Sequence, residues 1–153
     1  MEKTWVACNS CGSVNRVPFE RIGQGPKCGS CKNALPFHGA IVDQNSKSLP
    51  NLIQASDKPI VVDFWAPWCG PCLSFAPTYE AVSKQFGQEF VFVKVNTEAD
   101  PQAGAMYGVR GIPTLVVFTG GMEAQRISGA LPAPQFTQWL SKARPAAGQN
   151  TQV

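Results

Sequence analysis

The 153-residue sequence lacks any apolar run that approaches the roughly 20 residues of a membrane-spanning helix. Residues 1–8 also lack the apolar core of a secretory signal peptide. Charged residues are scarce at 15%, and a net charge of +3 is too small and too dispersed to indicate binding to nucleic acid or an anionic membrane. These absences lead us to expect a cytoplasmic protein with no membrane or nucleic-acid partner.

Six cysteines occur as three Cys-x-x-Cys pairs, which in a secreted scaffold could form three disulfides. However, no export signal precedes them, and 44% hydrophobic residues are enough for a packed core without covalent cross-links. We therefore expect a reducing environment and a chain with room for one ordinary domain plus a small module.

The Cys69–Cys72 motif, with Gly and Pro between its cysteines, lies between an apolar run at 60–66 and a helical pattern at 73–86. A strand here would deliver the pair to a helix N-terminus, where unpaired N–H groups and the helix dipole favour a thiolate. Only a thiolate attacks a disulfide, and a second thiol within reach releases the mixed disulfide. The pattern predicts a redox pair with Cys69 as attacker and Cys72 as resolver.

Two charged residues interrupt apolar strands near this motif. The run at 60–66 is apolar at successive positions, which is typical of a strand covered on both faces, and it contains Asp63. Burial would raise the pKa of Asp63 and make it a candidate acid/base for Cys72; a hydrogen-bonded core carboxylate or a strand-edge charge is the alternative. Lys94, in the apolar strand at 90–95, is a candidate partner for Asp63 or a side chain that snorkels from the strand end.

The rest of this region alternates between strand and helix patterns, which indicates an α/β fold. We predict strands at 39–42, 115–118 and 123–128, helices beginning near Pro50 and covering 98–107 and 133–142, and a hairpin turn at Gly120-Gly121.

The four N-terminal cysteines form two pairs, Cys8/Cys11 and Cys28/Cys31, separated by sixteen residues. This is the spacing of four-cysteine zinc sites. Gly12 and Gly29 allow tight turns beside the ligands, and short strand fragments are expected at 14–18 and 21–22. A segment this short cannot fold by hydrophobicity alone, so one zinc ion is predicted as its core. Two disulfides, or iron with the same ligands, are the alternatives. The zinc could be structural, or it could be redox-sensitive, so that oxidation of the four cysteines ejects it and tunes the redox activity of the chain.

Four basic residues lie near these cysteines in the sequence: Arg16, Arg21, Lys27 and Lys32. They could form a docking surface, or they could offset the negative charge of a zinc tetrathiolate. His38, the only histidine, lies seven residues beyond Cys31 and fits a linker or strand start better than a metal ligand.

With these residues in view, the region 39–143 resembles the thioredoxin family, and the whole chain is similar to its zinc-containing thioredoxin 2 class. The motifs that carry the resemblance are Asp63–Cys72, Phe75–Pro77, Val93–Asn96, Tyr107–Thr114 and Gly129-Ala130, together with Asn15–Pro18, Arg21-Ile22 and Lys27–Cys31. The resemblance implies a thioredoxin fold, with a central mixed sheet and helices on both faces, preceded by a four-cysteine zinc ribbon. We expect the ribbon at 1–36, the thioredoxin domain at 37–143 and a disordered tail at 144–153.

Residue by residue, the resemblance implies that Cys69 is the exposed nucleophile and Cys72 the buried resolving thiol. It implies that Asp63 and Lys94 form a buried pair that assists proton transfer, and that Pro113 is a cis-proline beside the disulfide. Trp65 would pack beside the active site. Substrate binding would fall to Trp68, Gly70, Pro71, Gly111, Ile112 and Gly129.

The activity implied by the resemblance is reduction of protein disulfides without a bound organic cofactor, recharged by thioredoxin reductase with NADPH. The small size and the absence of an obvious extra apolar face favour a monomer. A disulfide oxidant or isomerase on the same fold is one alternative, and a zinc-dependent partner-binding or regulatory module is another. Leu73 stands where the family commonly has a basic residue, which could weaken thiolate formation or alter partner choice. Thr97 also departs from many family members.

Overall fold

The computed structural model describes residues 3–143, so the predicted tail at 144–153 lies outside the described residues. In chain order the elements are β1 (Lys3–Ala7), β2 (Val14–Pro18), a 3₁₀-helix (Phe19–Gln24), β3 (Phe37–His38), β4 (Ile41–Asp43), α1 (Leu49–Ala55), β5 (Ile60–Trp65), α2 (Gly70–Phe86), β6 (Val91–Asn96), α3 (Pro101–Met106), β7 (Thr114–Thr119), β8 (Met122–Ser128) and α4 (Ala133–Ala143).

Six strands form one mixed sheet in the order β3-β4-β6-β5-β7-β8. β4, β6 and β5 run parallel, whereas β3, β7 and β8 pair antiparallel with their neighbours. The β7–β8 turn has positive φ at both Gly120 and Gly121, 60° and 82°, which is the conformation expected of a tight hairpin. The predicted mixed sheet and this hairpin are confirmed.

Apolar side chains cover both faces of the sheet, which explains why the central strands carry near-continuous hydrophobic runs. On one face, α1 and α3 pack over a cluster that includes Leu49, Leu52 and Phe64. On the other face, α2 and α4 pack over a cluster built around Tyr79 and Phe136. The thioredoxin-type arrangement of helices on both faces is therefore confirmed.

Several local predictions need correction. The strand fragment expected at Arg21-Ile22 is wrong, because both residues lie in the 3₁₀-helix. The strand expected at 39–42 is instead β4, preceded by the additional strand β3, with a turn at Gly39, whose φ is 62°. α3 is shorter than expected because the side-chain oxygen of Asn96 accepts the N–H groups of residues 98 and 99, which forms a turn before the helix.

The ribbon strands β1 and β2 pair antiparallel and pack against the larger domain. Ala7 is part of the buried cluster with Leu49 and Leu52, and Trp5 and Val14 pack against it. The buried Gln44 side chain accepts the Ala7 N–H and donates to the Ala7 carbonyl, both at 2.9 Å. Within residues 3–143, no helix has the length and apolar character needed to cross a membrane.

Candidate active site and metal centre

The Cys69–Cys72 pair forms a disulfide at the N-terminus of α2. Cys69 is the N-cap residue, and its Sγ accepts a hydrogen bond from the Cys72 N–H at 3.2 Å. The helix begins at Gly70, with Pro71 in its first turn, where proline is favoured because its missing N–H is not needed. Only 4% of Cys69 and 1% of Cys72 is exposed, so the expectation of an exposed Cys69 is not met in this disulfide form.

A small apolar cluster surrounds the disulfide. Ala66, Cys69 and Cys72 are buried together, and Trp65 and Ile112 pack against them. The Ile112–Pro113 peptide bond is cis, as the resemblance implied, and the Ile112 carbonyl oxygen lies 3.7 Å from Cys69 Sγ. A backbone strand edge is therefore held directly beside the first sulfur, where an extended peptide could pair with it.

The surface around the disulfide is open and carries exposed apolar side chains. Trp68 is 69% exposed and Leu73 is 52% exposed. A groove of about 360 Å³ lies between Trp68 and α3 and is also lined by Val109, Arg110 and Ile112. A Cβ atom added at Gly70, Gly111 or Gly129 would meet no heavy atom within 4 Å outside the neighbouring residues, so these positions leave space for a partner. Their predicted role in substrate binding stays a prediction.

Asp63 is fully buried on β5, and Lys94, its register partner on β6, is 8% exposed. Burial raises the pKa of Asp63 to about 7, and the positive charge of Lys94 opposes that rise. Neither carboxylate oxygen has a hydrogen-bond partner among the described residues. The Lys94 ammonium instead lies 4.5 Å from the centroid of the Trp65 ring. Asp63 and Lys94 are thus adjacent in the sheet, as predicted. Their role in proton transfer at Cys72 stays a prediction.

The four ribbon cysteines converge, with all Sγ atoms within 4.8 Å of one another. All four are free thiols, so the two-disulfide alternative is not what the structure contains. The Cys8–Cys31 and Cys11–Cys28 sulfurs are 3.6 and 3.7 Å apart. A zinc tetrahedron with bonds of about 2.3 Å has edges of about 3.8 Å, so this sulfur arrangement fits one zinc ion.

The two cysteine turns are built alike. The N–H of Gly12 donates to the Cys8 carbonyl at 2.8 Å, and the N–H of Lys32 donates to the Cys28 carbonyl at 2.9 Å. Both residues have positive φ, 84° and 70°. The residue of the second turn that corresponds to Gly12 is therefore Lys32 and not Gly29. The positive φ of Lys32 could not be predicted from the sequence, because lysine rarely adopts this conformation.

Hydrogen bonds to sulfur favour the thiolate at Cys28, whereas at Cys31 the backbone hydrogen bond from Asn33 is outweighed by burial and the neighbouring cysteine sulfurs, which raise the pKa of Cys31 to about 11. The Ser30 N–H and the Asn15 amide donate to Cys28 Sγ at 3.4 and 3.6 Å, and the Asn33 amide donates to Cys31 Sγ at 3.4 Å. Backbone hydrogen bonds, with that from Cys31 first, lower the pKa of Cys28 to about 6. Deprotonated sulfur is the ligand that zinc requires.

The family model described as Thioredoxin matches residues 40–142, which is more than half of the chain. The chain belongs to the thioredoxin family. A second family model, described as Thioredoxin 2, N-terminal, matches residues 7–33 of this thioredoxin. Its metal site and disulfide therefore lie in two segments that are each matched by a family model of their own.

Curated relatives extend the similarity across most of the chain. Thioredoxin C-3 of Corynebacterium nephridii is 44% identical over 138 residues, which cover 90% of this chain and 93% of that relative. Thioredoxin 1 of a Nostoc species is 46% identical and covers 57% of this chain and 81% of its own length. Thioredoxin M-type, chloroplastic, of Zea mays is 36% identical, with coverages of 85% and 74%. This thioredoxin is thus a thiol-disulfide oxidoreductase with a zinc ribbon.

Proposed function

We propose that this thioredoxin reduces protein disulfides through reversible oxidation of the Cys69–Cys72 pair. The observation that carries the proposal is a disulfide at the N-terminus of a helix, with the Ile112 carbonyl beside Cys69 Sγ and the Trp68 side chain exposed next to it. Proteins with accessible disulfides are its substrates, and thioredoxin reductase returns electrons to it from NADPH. We assign this activity to a cytoplasmic monomer.

The reaction follows the order of the two thiols. The Cys69 thiolate attacks one sulfur of the substrate disulfide, a Cys69–substrate bond forms, and the other substrate sulfur leaves as a thiolate that takes up a proton. Cys72 then loses its proton and attacks Cys69 Sγ, which breaks the mixed disulfide. The substrate leaves with two thiols and two electrons, and the Cys69–Cys72 pair is oxidised.

The helix start favours the anion that this chemistry needs. Cys69 is the N-cap of α2, and the Cys72 N–H already donates to its sulfur. When the pair is reduced, the same donor and the positive end of the helix dipole stabilise a Cys69 thiolate. This stabilisation by the helix start offsets the absence of a cation at position 73, where the chain has a leucine.

Asp63 is our candidate for the group that accepts the Cys72 proton. Its carboxyl group is buried and its pKa is raised to about 7, so it can take up and release a proton near neutral pH. Lys94 limits that rise through its positive charge, and it keeps the Asp63 pKa within the working range. We therefore assign Asp63 and Lys94 to proton transfer.

Substrate recognition is assigned to the surface beside the disulfide. Pro113 keeps the Ile112 backbone next to Cys69 Sγ, where a substrate strand can pair with it. Trp68 offers an exposed apolar contact. The remaining positions that we assign to this surface are Gly70, Pro71, Gly111 and Gly129.

The ribbon at 1–36 binds one zinc ion through Cys8, Cys11, Cys28 and Cys31, and the ion stabilises the fold of this segment. The region 37–143 carries the redox chemistry. In this division the metal has a structural role, and no electron passes through it.

Mixed-disulfide trapping tests the reductase function. The Cys72→Ser variant should accumulate a covalent complex with insulin through Cys69, because the resolving thiol is absent, whereas Cys69→Ser should form none and should lose insulin reduction. Retention of insulin reduction by Cys69→Ser would contradict the proposal. Recharging is tested separately, by NADPH oxidation with thioredoxin reductase and the oxidised chain.

A further inference from the structure

The loop that follows α3 leads directly to the substrate-facing backbone. Tyr107 and Gly108 end the helix, and Gly108 adopts a positive φ of 65°. The Tyr107 ring packs against Phe64 and Phe118, with ring centroids 5.8 and 5.6 Å apart. The next four residues, 109–112, end at the backbone beside the disulfide, and three of them, Val109, Arg110 and Ile112, line the groove next to Trp68. The position of this segment therefore depends on how its start is held.

One side chain from the edge strand β8 holds that start. The Arg126 guanidinium donates from Nη2 to the Tyr107 carbonyl at 2.7 Å and from Nη1 to the Gly108 carbonyl at 3.4 Å. The Tyr107 carbonyl belongs to the C-cap of α3, where helix geometry leaves acceptors without an intrahelical partner, and the Gly108 carbonyl follows it in the loop. A cation at this end also interacts favourably with the helix dipole.

Glu123 orients the same guanidinium from the other side. Its two carboxylate oxygens accept from Nε and Nη2 of Arg126, both at 2.8 Å. A two-point carboxylate–guanidinium contact fixes the plane of the guanidinium group and so the direction of its remaining N–H groups. This pairing lowers the pKa of Glu123 and raises that of Arg126, so the charges persist across the working pH range.

A β-bulge makes this contact possible. Residues three apart on a regular strand point to opposite faces of the sheet. Here Glu123 pairs with Phe118 and Arg126 pairs with Val116, with the register shift between Val117 and Phe118. The extra residue places both side chains on the face that carries α3. The bulge thus brings Glu123 beside Arg126, and Arg126 in turn reaches the loop carbonyls.

We propose that Arg126, oriented by Glu123, is a positioning residue for the 109–112 segment and thereby sets how well extended polypeptide substrates pair beside Cys69. The proposal deepens the proposed function and rests on it. Arg126 acts through the Tyr107 and Gly108 carbonyls and takes no part in the thiol chemistry, so small disulfides that make no backbone contact should not depend on it.

The test compares two disulfide substrates with the zinc-bound, pre-reduced full chain in stopped-flow single turnover. For Arg126→Met we expect the rate constant with insulin to fall about threefold to tenfold, the span that corresponds to net loss of one hydrogen bond. The rate constant with dithiobis(nitrobenzoate) and the reduction potential should not change. Glu123→Gln should give a smaller loss with insulin, and Arg126→Lys should restore part of the rate.

Arg21→Met is the matched control, since it removes one exposed arginine from the ribbon. Amide hydrogen exchange provides the second readout: Arg126→Met should speed exchange at residues 110–112, and Arg21→Met should not. Unchanged insulin rates and unchanged exchange in Arg126→Met would overturn the proposal, as would equal losses with both disulfides. If the unsubstituted chain fails to reduce insulin, the proposed function fails, and the exchange data still decide the role of Arg126.

Discussion

Asp63 and Lys94 are register partners on neighbouring parallel strands, yet the Lys94 ammonium lies over the Trp65 ring and not on the Asp63 carboxylate. Both carboxylate oxygens lack a hydrogen-bond partner within the described part of the chain. Burial therefore dominates, and the pKa of Asp63 rises to about 7 while Lys94 opposes the rise. A carboxyl group in this state is suited to exchanging a proton with a buried thiol.

Replacing Asp63 with asparagine should stabilise the protein at high pH. The folded pKa of about 7 lies above the ordinary value of 3.8, so ionisation costs stability as the pH rises between these values. The cost is absent below both pKa values and complete above about 7. Asp63→Asn should therefore gain on the order of 4 kcal/mol near pH 8, and only about two-fifths of that near pH 5. Urea unfolding measures the difference.

The exposed Asp57 offers the matched control, because Asp57→Asn removes the same group from a surface turn. That variant should show no comparable gain between the two pH values. A pH-independent effect of Asp63→Asn would contradict the assignment of the raised pKa to Asp63.

Removing the charge of Lys94 should move the Asp63 titration upwards. Lys94 lowers the pKa of Asp63 by its positive charge, so Lys94→Met should raise that pKa above its present value of about 7. Carbon NMR of the Asp63 carboxyl group across a pH series measures this pKa directly. Lys84→Met, a change near the far end of α2, is the control. A downward shift in Lys94→Met would show that the two residues are not coupled as described.

Zinc removal should separate the two parts of the chain. The ribbon relies on the metal, so chelation should unfold 1–36 and leave 40–143 folded. In the folded ribbon, Trp5, Ala7 and Val14 cover Leu49 and Leu52. Unfolding of the ribbon would expose these two leucines to water, so the remaining domain should also melt at a lower temperature. Circular dichroism and NMR report both effects. Loss of most of the sheet signal on chelation would refute this division into two modules.

Gln44 should contribute to the contact between the ribbon and the larger domain. Its buried amide satisfies both the N–H and the carbonyl of Ala7, so Gln44→Ala leaves two buried groups without these partners. We expect a loss of about 1–3 kcal/mol in the free energy of unfolding of the zinc-bound protein. Gln54→Ala, at an exposed position on α1, should change it little. Equal stabilities of the two variants would show that Gln44 does not secure the ribbon.

Local signals account for what sequence reasoning predicted correctly. The apolar strand before Cys69 and the helical pattern after Cys72 together place the cysteine pair at the start of a helix. The spacing of the four ribbon cysteines predicts a metal site. Features that depend on distant contacts were missed. The positive φ of Lys32, the Gln44–Ala7 contact and the pairing of Arg126 with Glu123 across a bulge leave no periodic trace in the sequence. The cis bond before Pro113 was expected only because of the family resemblance.

The reduction potential of the Cys69–Cys72 pair in the zinc-bound protein is the most direct test of the proposed reductase function. Equilibration against glutathione or a reference dithiol, followed by thiol quantification, gives this value. We predict a potential near −270 mV, about that of thioredoxin, which makes the pair a reductant of protein disulfides. A potential near −180 or about −120 mV would contradict the account, because such a pair acts as an isomerase or an oxidant.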